Sequence, residues 1–143
     1  MPISPILLPE DSFVRAAMIV RGKYDFAVDG GAVSTIAITS GLPIPSGSVV
    51  MGGYVDVITG LTSGGAATIA CQVEAANDIL TAVAVASWTA GRKNILPAPT
   101  TGALTASTAV KTTADRNISI VIGAATLTAG VCNVVLYIVP PLA

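Results

Sequence analysis

The chain has 143 residues, 52% of them apolar and only 10% charged, with 7 Lys+Arg against 8 Asp+Glu, two cysteines and no histidine. That length suits one domain able to bury a core, and the mean hydropathy of +0.78 is the opposite of what disorder requires. A net charge of −1 offers no electrostatic footprint for nucleic acid or anionic lipid, and the missing histidine removes every His triad, His general base and His metal ligand.

The first twelve residues stand apart. Pro2, Pro5 and Pro9 interleave with Ile3, Ile6, Leu7 and Leu8, a pattern that is apolar yet unable to form regular structure. It predicts an extended N-terminal arm over 1–12, ahead of a β-sandwich domain over 13–143. Such an arm covers its own sandwich or lies across a neighbouring subunit. The second is favoured, which makes Ile3, Ile6, Leu7 and Leu8 candidate interface residues. The segment has neither the basic start nor the unbroken apolar stretch of an export signal.

Strand signals dominate the rest. A long strand is predicted over Ala16–Val28, with Arg21, Lys23 and Asp25 two apart and hence on one face. Val33–Thr39 alternates apolar and polar side chains, and Tyr54–Thr59 and Thr68–Glu74 do much the same. Asp78–Ala86 suits either a short helix or an Ala/Val strand. Asn117–Ile122 and Val134–Val139 read as the two most buried strands. Longer connections are expected over Gly41–Gly47 and Asn94–Ala109. The run Ile120–Val139 is long and apolar enough to invite a membrane reading. Its β-branched residues and the Leu127–Gly130 segment at its middle instead predict two short strands of a hairpin.

The punctuation repeats. Thr-(Ser/Ala)-Gly occurs at Thr39–Gly41, Thr62–Gly64, Thr89–Gly91 and Thr128–Gly130, without a fixed period. Each copy is read as a turn or bulge in which Gly takes a positive φ. Asp29-Gly30-Gly31 reads as another tight reversal. About eight short strands with Gly/Pro turns imply an all-β, single-domain antiparallel sandwich or barrel, of which the sandwich is the expected fold.

Chemistry is sparse. No phosphate-loop, dinucleotide or nucleophile-elbow motif occurs, and no nucleophile can be paired with a base, so an enzyme is not expected. Nothing in the sequence calls for a cofactor or a metal. Asp25 and Asp29 lack the alternating acid ligands of a calcium loop. Cys71 and Cys132 read as small core residues, with a disulfide left open because sequence does not give its geometry. Asp115-Arg116 is a candidate local ion pair or partner contact. Trp88, followed by Arg92 and Lys93, is read equally as a core plug or as an interface anchor.

A family resemblance adds to this. Pro45–Val50, then Val55–Ser63 and Ala67–Ala70, resemble a pattern in small head proteins of tailed bacteriophages. Lys111–Ile118 and Leu127–Gly130 resemble the closing hairpin of the same proteins, so that the likeness covers about two-thirds of the chain. The family is the capsid decoration, or cement, proteins. The resemblance implies a jelly-roll-like sandwich assembling as a homotrimer on the outer head surface, where it clamps neighbouring major capsid subunits. It also implies a virion location after synthesis in the host cytoplasm, with no nucleic acid or membrane partner. Trp88–Ala109 and the arm depart from the pattern, and both are expected where the protein meets its own capsid lattice. The alternative is a head-fibre or tail-associated host-recognition module binding a cell-surface glycan, with Trp88 and Tyr54 as the aromatic rings nearest to candidate loops.

Overall fold

The computed structural model describes residues 18–95 and 109–141. The proposed arm over 1–12 and most of the Asn94–Ala109 connection lie outside these. The described chain runs β1 (Met18–Asp25), a helical turn α1 (Phe26–Asp29), β2 (Ser34–Ala37), β3 (Val49–Ser63), β4 (Thr68–Gln72) and β5 (Leu80–Ala84). After a 3-10 turn at Val85–Ser87 come β6 (Gly91–Asn94), β7 (Val110–Lys111), β8 (Ser119–Gly123) and β9 (Leu127–Val139).

These strands form two antiparallel sheets. One has the order β1-β9-β3-β6, with β7 also on β3; the other is β2-β8-β4-β5. β6 and β7 pair with different stretches of the same β3 edge, Tyr54–Val57 and Val49–Val50, so they act as one strand interrupted by a long excursion. Counted that way, first pairs with last, second with second-last, and so inward to β4 with β5. This nested pairing is the jelly roll, an all-β sandwich as the sequence predicts.

The core follows from alternation. In β1, Val20, Gly22 and Tyr24 are buried while Ile19, Arg21 and Lys23 are exposed, as a half-buried strand requires. β8 and β9 sit between partners in their sheets, which explains their nearly continuous apolar sequences: Ile120, Val134 and Leu136 are fully buried. The two inner faces share one cluster of Val, Ile and Leu with Tyr24, Trp88 and both cysteines. The Tyr24 hydroxyl donates to the Gly30 carbonyl at 2.7 Å, so its burial leaves no orphaned polar group.

Several expectations change. The long first strand ends at Asp25, where the Asp25 carboxylate accepts from Ala27 N–H at 3.1 Å and Asp29 accepts from Asp25 N–H at 2.8 Å. These reciprocal caps, with Gly30 at φ 77, convert Phe26–Asp29 into a helical turn. Asp78–Ala86 resolves into β5 and the 3-10 turn. The predicted hairpin within Ile120–Val139 is not one. β8 and β9 belong to different sheets, and the chain crosses between them at 124–126, with Ala124 at φ 67. Leu127–Gly130 lies inside β9 instead of forming a turn. There β3 places Gly60 and Leu61 between the pairs Thr59↔Val131 and Thr62↔Ala129. Gly130, at φ 138, meets that bulge, and a Cβ on it would lie 2.6 Å from Leu61 Cγ. Of the four Thr-x-Gly copies only Gly91 and Gly130 adopt a positive φ. Gly41 is needed for room, since a Cβ there would overlap the Arg21 carbonyl at 1.8 Å. No helix among the described residues is long and apolar enough to cross a membrane.

Candidate interaction face

The residues singled out in the sequence scatter. Ile3, Ile6, Leu7 and Leu8 lie outside the described residues. Trp88 is 4% exposed and belongs to the core; of its two readings, the plug describes its place in the fold. Its N–H donates to Val85 O at 2.9 Å and its carbonyl accepts from Leu61 N–H at 3.0 Å. The indole closes an apolar recess of about 120 Å³ with Val55, Leu80, Val83 and Ile95. Lys93 lies opposite Val55 and folds back to donate to the Thr89 carbonyl. Arg92, with a side chain 76% exposed, projects the other way.

Strand pairing brings Arg92 into company that its sequence neighbours do not suggest. On the outer face of the first sheet, register aligns three rows across β1, β9, β3 and β6. Ile19 lies beside Tyr137 and Gly52; Arg21 beside Val135, Tyr54 and Asn94; Lys23 beside Asn133, Asp56 and Arg92. Directly paired residues point to the same side of a sheet, so these side chains share one surface. The Tyr54 and Tyr137 rings lie 6.3 Å apart at 51°, and the Arg92 guanidinium lies 6.0 Å from the Tyr54 ring centroid. Arg21, Tyr54, Asp56, Arg92, Asn133 and Val135 line a shallow concavity of about 290 Å³. Its lining is mostly polar, with Val135, which faces outward yet is 4% exposed, as the one aliphatic residue. Ile19 and Met51, 56% and 59% exposed, border the same face.

The charges are partitioned. Among the described residues, most acids serve the chain's own backbone. Besides Asp25 and Asp29, Asp78 accepts from the N–H groups of Val73, Glu74 and Ala75 at 2.8–2.9 Å. Asp115 accepts from Ser46 N–H at 2.9 Å rather than pairing with Arg116. Arg116 instead grips Glu74, Nε to Oε2 at 2.8 Å and Nη2 to Oε1 at 3.1 Å, and Thr113 donates to the same carboxylate through its N–H and hydroxyl. The Arg116 hydrogen bonds first, and then those from Thr113, hold Glu74 down at about 2. This clamp ties the β4–β5 loop to the segment before β8, which also bridges to Ile44. Two acids meet cations on the outer sheet face: Asp56, with Arg92 Nε 3.9 Å away, and Asp25 at its rim, with Lys23 Nζ at 3.2 Å.

Reactive chemistry is hard to assemble from these parts. Cys71 and Cys132 are buried free thiols on facing sheets, and burial drives both pKa values up, that of Cys132 to about 12, away from thiolate formation. Among the described residues no group of three His, Cys, Asp or Glu could hold a metal.

No family model and no curated protein matches the chain. Solved structures do match along most of its length. A chain in the acid-stable capsid of Helicobacter pylori bacteriophage KHP30 superposes with a TM-score of 0.57 at 9% identity, covering 89% of this chain and 90% of that one. A chain in the cyanophage Pam1 capsid gives 0.56 at 19%, covering 87% and 85%. A chain in the capsid of Ralstonia phage GP4 gives 0.57 at 15%, covering 88% and 86%. At these identities the likeness is one of fold: the same jelly roll at nearly the same length, without large additions on either side.

Proposed function

We propose that this protein is a non-enzymatic structural component of a bacteriophage virion, a cement protein seated on the outer surface of the head. The observation that carries the proposal is the near end-to-end fold match to chains of three phage capsids. Fold alone does not assign function, and a feature of the surface supports the reading. The outer face of the first sheet combines Tyr, Arg and Met, side chains enriched in protein interfaces, with the exposed Ile19 beside them. In this reading the protein assembles as a homotrimer and clamps neighbouring major capsid subunits. Arg92 contributes to the contact, as do Lys93 at the sheet edge and Ile3, Ile6, Leu7 and Leu8 of the N-terminal arm. The glycan-binding alternative is weaker, because the Trp88 indole is buried and leaves Tyr54 as the one of its two rings able to stack on a sugar.

The test is to add purified protein to undecorated heads of the phage that encodes it and image them by cryo-electron microscopy. Regular density on the outer surface is expected, and its absence at saturating protein sinks the reading. A solution mass of three chains is expected for the free protein.

A further inference from the structure

We propose that the outer face of the first sheet docks an acidic protein surface, with Arg21 and Arg92 receiving its carboxylates on either side of Tyr54. The inference rests on the capsid reading only for where that partner is found. Its grounds are the geometry and the charge partition.

The chain as a whole is slightly acidic, at −1, yet this face is cationic. Arg21, Lys23 and Arg92 stand on it against Asp56, with Asp25 at the rim beside Lys23 at 3.2 Å. The other described acids are engaged in caps and in the Glu74–Arg116 clamp. A face with three cations against Asp56 and Asp25, while the other described acids turn to the chain's own backbone and to Arg116, fits an anionic partner. The Arg92 guanidinium is also under-used. Its Asp56 contact, at 3.9 Å, is too long for a hydrogen bond, so among the described residues nothing occupies its planar fork of donors, which suits a bidentate carboxylate. The Tyr54 and Tyr137 rings and the buried Val135 supply the desolvating surround that lets such charge pairs count.

A second copy is the poorer occupant. A two-fold contact would place this face against itself, bringing the three cations of one copy toward those of the other. The outer face of the second sheet carries no charge in its paired rows, so it offers no competing site for carboxylates.

The experiment titrates the isotope-labelled full chain with a hexaglutamate peptide and follows backbone amide shifts. Saturable shifts at Arg21, Tyr54, Arg92 and Asn133 are expected, weakened at least about tenfold by Arg21→Glu/Arg92→Glu and by raising salt from about 50 to about 500 mM. Arg21→Gln/Arg92→Gln, expected to weaken binding in the same direction, serves should charge reversal impair folding. Shifts centred elsewhere, no shifts, or shifts of the same amides with protein concentration alone would overturn the proposal. In parallel, wild type and the double variant are added to undecorated heads. Wild-type binding with loss in the variant supports the docking face, and equal binding overturns it. Failure of wild type itself to bind refutes the capsid reading, while the peptide titration still decides the chemistry of the face.

Discussion

The two sheets have nearly interchangeable inner faces and very different outer ones. Inside, Ile69, Ile120 and Ile122 of one sheet meet Val55, Val134 and Leu136 of the other, all at most 1% exposed. Outside, the first sheet shows Ile19, Arg21, Lys23, Tyr54, Asp56, Arg92 and Tyr137. The second shows rows of Ala84, Thr68 and Gly123, then Ala70, Val121 and Thr35, then Gln72, Ser119 and Ala37. These side chains are uncharged, and none is larger than Gln. Packing constrains both inner faces alike, because any lost methylene leaves a cavity. The outer faces escape that constraint, so their divergence points to what each one meets.

The largest effects should ignore the difference. Ile120→Ala and Leu136→Ala, one in each sheet, should each cost about 2–5 kcal/mol in urea unfolding. A much smaller cost for one of them would mean that its sheet packs loosely.

Next comes the Thr-x-Gly signature. Gly130→Val should cost roughly 2 kcal/mol or more, combining left-handed strain with a clash against Leu61. Gly64→Ala has open space and no positive φ, and should change stability by less than about 1 kcal/mol. Equal costs would show that the shared signature outweighs tertiary context.

The clamp between the sandwich loops should respond to acid. Glu74 has a folded value near 2 against an ordinary 4.5, so its contribution is fully present above the ordinary value and is lost as pH falls through about 2. Glu74→Gln should therefore flatten the fall in thermal stability between those limits. An unchanged pH profile would remove the clamp from the account.

The smallest effects lie on the outer faces. Arg92→Ala removes an exposed ion pair and a cation–π contact, and should alter stability by less than about 1 kcal/mol. Thr35→Lys on the second sheet should stay within about 0.5 kcal/mol. A large loss with Arg92→Ala would make that side chain a structural one and weaken its place in a docking face.

Much of the architecture was legible because strands write their burial into alternation. The positions of Val20, Tyr24, Ile69 and Ile120 inside, and of Arg21 and Lys23 outside, follow from period-two spacing alone. The apolar character of β8 and β9 similarly foretold central strands. Turn chemistry told less: Thr128–Gly130 looked like a hairpin turn, but its glycine serves a bulge against Leu61, 69 residues away in sequence. Of the candidate site, Arg92 was visible as a cation near a turn and Tyr54 as an aromatic near a loop. Their meeting with Arg21, Tyr137 and Asn133 was not, because it depends on which strands pair and in what register.

The sequence by itself therefore determined the class of structure, the identity of the core and the poverty of catalytic chemistry, since these depend on composition and local period. Only the tertiary structure decided that Arg92 joins Arg21 and Lys23 on one sheet face, and that Trp88 is enclosed while Arg92 is displayed. Those outcomes come from non-local strand pairing, in which a shift of one residue would exchange the inner and outer faces of a strand.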